Sequence, residues 1–264
     1  MRNFTASLKK EWLELTRTRR IWLYGLVIVV CLVCNWVLVL LNVPVHNSYT
    51  EVSYNMQTRY GAVVSFNVCV MTIYLLALLI MLRPIITGEL KQKRLVQPFA
   101  MGLSPTANIV AKYIIQALVP SALAFVAVLI NGAIACFVFS SGSFYSISTG
   151  AINVNFLSVL ISALCVFAVV LLYVVMEISV STYFKSGIMG LAVSLVIMLL
   201  GLVYFNTVEI SMYMPNLLRL TAMKLATNGT TAQYLFSSMV SVSLILLFAI
   251  SATIVYTDRN DLAI

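Results

Sequence analysis

The stretch RTRRIWLYGLVIVVCLVCNWVLVLLNV, residues 17–43, decides the fold class. Arg17, Arg19 and Arg20 are followed by an uncharged run from Ile21 to Val43. About 20 residues at about 1.5 Å each cross a hydrocarbon core. Within that core the backbone bonds only to itself, so the run is a transmembrane helix. It is too long for the apolar part of a cleaved leader and follows a charged segment, so it is expected to stay in the chain.

Working outward, the same pattern recurs. Hydrophobic residues fill 62% of the 264 positions and charged residues only 9%, roughly a third of the charged share of a soluble domain. A water-soluble fold is excluded. The expected class is an all-α membrane protein with six transmembrane helices near 21–43, 62–82, 113–139, 156–183, 188–206 and 234–256. Short cytoplasmic loops are enriched in Lys and Arg. With both termini inside, thirteen basic residues lie on the cytoplasmic side, and only Arg59, Arg219 and Lys224 lie outside. The expected location is therefore the cell (plasma) membrane, multi-pass, N-in and C-in. The formal charge of +8 follows membrane side rather than one aromatic-lined groove, which points to anionic lipid and away from nucleic acid.

Residues 1–20 precede the membrane and read as a cytoplasmic interfacial amphipathic helix. Phe4, Leu8, Trp12 and Leu15 share one arc, with Lys9, Lys10 and Arg17 elsewhere on the wheel. Such a helix lies in the interface with its tryptophan at headgroup level. Glu11 borders the apolar arc and Leu13 points opposite it. Two readings stand: a plain anchor, or a segment that also contacts a protein partner.

The cytoplasmic loop, about 84–112, is the most informative segment outside the membrane. Glu89 heads a short helix expected near 88–97, where the macrodipole favours an anion. Leu90, Leu95 and Phe99 give that helix an apolar face, Lys93 and Arg94 a basic one. Pro98 ends it. Ser104 then caps a new helix with Pro105 in its first turn. The apolar face either docks a partner or enters lipid. On the other side, about 44–61 reads as a solvated connection holding the one histidine, His46. The outer loop, about 207–233, is too apolar to be plainly solvated and too short to span, so a capping element is expected there. Residues 257–264 form a charged cytoplasmic tail.

Inside the spans, Asn35, Asn67, Gln116, Asn131 and Glu177 cost energy unless they face the bundle or a cavity. Asn67, Tyr74, Glu177 and Tyr204 are candidates for a pathway or gate. Glu177 sits near the cytoplasmic end with Lys185 about two turns on; it reaches the interface or pairs locally, or it serves proton coupling or gating. Pro120 is expected to kink the third span. Cys31 and Cys34 have C-x-x-C spacing without a second pair or a nearby histidine, so packing is the expectation and no metal is assigned. No Walker-type phosphate loop, H-E-x-x-H or G-x-S-x-G occurs, and no catalytic residue is assigned. Transport, or a structural or sensory membrane role, remains.

The order of parts, Lys9-Lys10-Glu11-Trp12, an outward loop, Glu89 after the second span, then Leu103-Ser104-Pro105 and Lys112, resembles the permease subunits of type 2 ABC exporters (ABC-2). The last outer loop and the tail Thr257-Asp258-Arg259-Asn260-Asp261-Leu262 are similar too. One departure is Leu90-Lys91-Gln92-Lys93-Arg94, where the family carries a small residue and a threonine. The resemblance implies an ABC-2 exporter transmembrane domain, a separate ABC ATPase subunit that holds ATP and Mg, and a second permease chain. It implies that the coupling helix, with Glu89, Leu90, Lys93, Arg94, Leu95 and Phe99, docks the ATPase. The substrate is then a peptide, antibiotic, lipid or polysaccharide. The competing expectations are an ion-coupled secondary transporter using Glu177 and a non-transporting membrane scaffold.

Overall fold

A computed structural model of the chain describes residues 2–41, 45–47, 52–54, 57–82, 104–139, 143–146, 150–154, 156–203 and 231–261. Helix α1 (Arg2–Arg17) leads to α2 (Arg20–Leu40). Helix α3 (Arg59–Leu82) contains a π turn at Val70–Tyr74. Helix α4 starts as Pro105–Tyr113, passes through a second π turn at Ile114–Leu118 and continues as Val119–Val138. Helices α5 (Phe156–Phe184), α6 (Gly187–Val203) and α7 (Thr231–Asp261) complete the described helices. Two short antiparallel hairpins, β1 (Val45–Asn47) with β2 (Val52–Tyr54) and β3 (Ser143–Ser146) with β4 (Gly150–Asn153), stand in connections where only helices and loops were expected.

Helices α2, α3, α4 and α5 are each long and apolar enough to cross a membrane, as a multi-pass membrane protein requires. Helices α6 and α7 carry shorter apolar stretches, Gly187–Leu199 and Met239–Val255. The fourth span expected from sequence, 156–183, is α5 to within one residue. Helix α4 begins well before the expected residue 113, because Ser104 is an N-cap: its Oγ accepts from Ala107 N at 3.2 Å, with Pro105 in the first turn. Helix α7 runs to Asp261, so the charged tail begins as a continuation of the helix; polar residues past the membrane still complete the i to i−4 ladder. The π turn at 114–118 directly precedes Pro120. A π turn widens the backbone spacing where proline removes a donor, so the disturbance takes this form beside the expected kink site.

The bundle is built around α5, of which 67% of the span is buried, and α3, at 61%. Helix α5 packs against α4, α6 and α7, and α3 against α2 and α4. Helix α2, only 28% buried, lies at the periphery. Its Tyr24, Ile28, Cys31, Asn35 and Val39 face inward, while Trp22, Leu26, Val29, Val33 and Leu40 are exposed, the stripe that lipid covers. The expected C-x-x-C pair is therefore split: Cys31 is buried and Cys34 exposed. Helix α5 ends in a Schellman motif, with Ser186 N bonded to Ser181 O and Lys185 N to Thr182 O. Lys185 takes the left-handed position (φ 52) that usually falls to glycine.

Helices in lipid gain no hydrophobic energy from each other, so close approach through small residues matters. Gly132 is such a place. A Cβ there would lie 2.2 Å from Val159 Cγ1, a stiff β-branched group. On α2, a Cβ at Gly25 would meet nothing within 4 Å. Gly132→Ala is expected to lower stability by about 1–3 kcal/mol, with partial recovery when Val159→Ala is added. Gly25→Ala is expected to be neutral or slightly stabilising. Reversible unfolding in bicelles measures both, and equal effects at the two glycines would contradict this packing.

Candidate functional site

Buried polar side chains in a membrane bundle are costly and therefore informative. They form two seams here. Near one end of the bundle, Asn35 of α2 donates from Nδ2 to Ala62 O at 3.1 Å and to Asn131 Oδ1 at 3.3 Å. Asn131 of α4 donates to the same Ala62 carbonyl at 3.0 Å, and Ser65 Oγ donates to Asn35 Oδ1. Three spans thus meet on one carbonyl. At the same end Arg59 Nε donates to Phe139 O, and Phe139 stacks on Trp36 with centroids 6.3 Å apart. Between α3 and α5, Asn67 Nδ2 donates to Ser162 Oγ at 2.7 Å.

The second seam lies towards the end that carries α1. Tyr74 donates to Pro120 O at 2.9 Å, and the Tyr113 hydroxyl bonds Ser179 Oγ at 2.7 Å. Asn67 and Tyr74, read from sequence as candidates for a pathway, are both buried and bind helix to helix. Glu177 is fully buried among them, and neither carboxyl oxygen has a hydrogen-bond partner. Reach to the interface and local pairing with Lys185 both fail: Lys185 lies past the end of α5 with its side chain exposed, whereas Glu177 is two turns inside the helix and fully buried. Tyr204 and the coupling-helix residues Glu89, Leu90, Lys93, Arg94, Leu95 and Phe99 lie outside the described residues, as does most of the expected outer capping loop.

Helix α1 packs on α2 and on the first turns of α4. The face it buries is not quite the predicted one. Leu15 is fully buried and Phe4 and Leu8 are partly so, but Trp12 is 44% exposed. Ser7 and Glu11, both fully buried, take its place. The buried edge is therefore Ser7, Glu11 and Leu15, at i, i+4 and i+8, rotated from the apolar arc toward polar residues. The reason lies on α4: Asn108 and Lys112, at i and i+4, are both buried, and Lys10 Nζ donates to Asn108 Oδ1 at 3.3 Å. A polar strip on α4 meets a polar edge on α1. Glu11, which fitted the lipid reading badly, is fully buried and lies 3.8 Å from Lys10 Nζ. The pair Asn108 and Lys112 was the available sequence signal, and it was missed because Lys112 was read as a topology charge and as part of the family resemblance, not as half of a polar strip.

On its other side α1 carries an open groove of about 550 Å³, lined by residues that include Lys9, Lys10, Leu13, Glu14 and Arg17. Leu13, the second misfit, lies in this groove and is 42% exposed. The helix thus has a buried edge, Ser7, Glu11 and Leu15, and an exposed side that carries Lys9, Leu13 and Arg17, with Lys10 between them. Among the described residues no three of His, Cys, Asp and Glu converge to hold a metal ion.

Leu15→Asp is expected to free α1 from α4 and speed backbone hydrogen exchange across residues 2–17 by at least about tenfold. Trp12→Ala should leave that exchange nearly unchanged; equal effects would contradict the assignment of faces. Comparisons with protein-family models, with curated proteins and with solved structures find no match for this chain.

Proposed function

We propose that the chain is the membrane-spanning permease subunit of an ATP-driven exporter. It crosses the plasma membrane six times with both termini in the cytoplasm, and it acts as a pair with a second permease chain. A separate ABC ATPase subunit binds ATP and Mg. The observation that carries this reading is the joint between α1 and the start of α4, where Lys10 bonds Asn108 and Glu11 and Leu15 are buried. Residues 83–103, whose sequence carries Lys91, Lys93 and Arg94 together with Leu90, Leu95 and Phe99, precede that start in the chain. A subunit docked on this loop would move α4 and α1 as one lever.

The lever has somewhere to act. Helix α4 bonds α5 through Tyr113 and Ser179, and α3 through Pro120 and Tyr74. A tilt of α4 at its cytoplasmic end would be passed to both central helices through these bonds. ATP-driven closure of two ATPase subunits would bring two such levers together and shift the pathway between states of different substrate affinity. The substrate class follows the family resemblance: a peptide, an antibiotic or a lipid.

A second reading, an ion-coupled carrier, is favoured by the buried and unpartnered carboxyl of Glu177. ATP-dependent flux in vesicles separates the two, since a carrier needs no second subunit. Under the permease reading, Leu95→Asp and Leu13→Asp should each reduce recovery of the ATPase subunit with the tagged chain by about tenfold or more. Each places a charge in an apolar contact, costing a few kcal/mol. Undiminished co-purification of both variants would remove the docking assignment.

A further inference from the structure

The elbow between α1 and α2 gathers hydrogen-bond donors and supplies no acceptor for them. Thr18 and Arg19 link the two helices, and Arg19, the N-cap of α2, takes a left-handed backbone (φ 55). A guanidinium only donates, so Arg19 gives the first turn of α2 no side-chain cap. The amides of Trp22 and Leu23 bond back to Arg19 O, and among the described residues those of Arg20 and Ile21 have no acceptor. The side chains of Arg17, Arg19 and Arg20 make no hydrogen bond or ion pair there either. Tyr24 extends this set inward. It follows Arg20 by four residues, so the two share a face of α2, about 6 Å apart along the axis. Helical side chains lean towards the N-terminus, which carries the phenol back to the level of Arg20. Tyr24 is fully buried with its hydroxyl unpartnered, and Arg20 Nη1 is buried without a partner as well.

The charges also run against the helix that carries them. The N-terminus of α2 is the positive end of its macrodipole and favours an anion, yet Arg19 and Arg20 stand there and the first turn holds no acidic residue. Glu14, the preceding carboxylate in the chain, pairs with none of the three arginines. Glu177 accepts no bond from Arg20 or Tyr24, and α2 packs on α1, α3 and α4. Free amides at a helix start, together with an arginine fork, form an anion site. The elbow lies where the uncharged run begins, and Trp22 beside it is 76% exposed, as an aromatic at a membrane interface is. The anion at hand at that depth is the phosphate of a lipid headgroup.

We propose that the elbow between α1 and α2 binds one phosphate group through the amides of Arg20 and Ile21, the Arg20 guanidinium and the Tyr24 hydroxyl, with Arg19 adding charge. The phosphate belongs to an anionic phospholipid, and a free phosphate presents the same oxygens. This is a discrete site, not the diffuse attraction of a basic segment for an anionic surface, because the donors converge from the backbone, a guanidinium and a buried phenol. It accounts together for the unused amides, the unpaired arginines and the unpartnered hydroxyl. It also gives a basic residue a reason to hold a left-handed position that glycine takes more readily.

The test releases the purified full chain from nanodiscs that hold phosphatidylglycerol in an excess of phosphatidylcholine and reads bound lipid by native mass spectrometry. One phosphatidylglycerol per chain is expected to stay bound, since its headgroup adds no cation. Arg20→Gln should lower retention about tenfold and Tyr24→Phe about threefold. Lys9→Gln removes the same charge from the exposed side of α1 and should leave retention unchanged; a loss equal to that of Arg20→Gln would overturn the site in favour of diffuse attraction. Arg19→Gly should reduce retention without lowering Tm in lipid-free detergent, which separates lost binding from lost folding. Displacement of the lipid by excess inorganic phosphate would show that phosphate alone is recognised, and no displacement that the headgroup is held together with its chains. No preferential retention, or retention unchanged in folded Arg20→Gln and Tyr24→Phe, would overturn the site. No ATPase or transported substrate enters the measurement, so its failure is distinct from failure of the permease reading.

Discussion

The structure depends on one shared acceptor, the carbonyl of Ala62, to which Asn35 and Asn131 both donate. Lipid tails are as apolar as leucine, so leucine and valine alone do not hold membrane helices in one register. A buried amide does, because a slide along the helix axis would leave it unsatisfied in hydrocarbon. With α2, α3 and α4 joined at Ala62, and α3 and α5 joined by Asn67 and Ser162, the four long helices share one register. Gly132 against Val159 and Gly190 against the turn at Glu177 then set how closely α4 and α6 approach α5.

Towards α1, two further bonds join the long helices. There the bonds are single, Tyr74 to Pro120 and Tyr113 to Ser179, and each involves α4 at or beside its π turn. π turns are common at functional sites because they break the regular ladder without ending the helix. Gln116, in this π turn, and Glu177, two turns before the end of α5, also carry buried polar atoms without hydrogen-bond partners.

Four of the six expected spans were legible because hydrophobic length is a direct consequence of bilayer thickness, and α5 coincides with its expected range almost residue for residue. Ser104 and Pro105 were legible because capping is local chemistry. The face of α1 was only half legible. Phe4, Leu8 and Leu15 define an apolar arc in isolation, but Asn108 and Lys112, about a hundred residues away in sequence, turn the helix so that Glu11 faces inward. The state of Glu177 was only partly legible: it stood among the polar residues expected to face the bundle or a cavity, and it is buried. Its distance from Lys185 along the chain suggested pairing, whereas the Schellman turn ends α5 before Lys185 can lie back along it. Short hairpins escaped notice because strands of three and four residues leave no usable period in a sequence so rich in apolar residues.

Helix α1 packs on the start of α4, and the proposal is that a separate ATPase subunit drives that joint. The most direct measurement is native mass spectrometry of the chain extracted gently from its own membrane. The account predicts an assembly that contains a pair of permease chains together with ATP-binding subunits. Recovery of the intact chain without any nucleotide-binding partner, under conditions that preserve known membrane complexes, would contradict it.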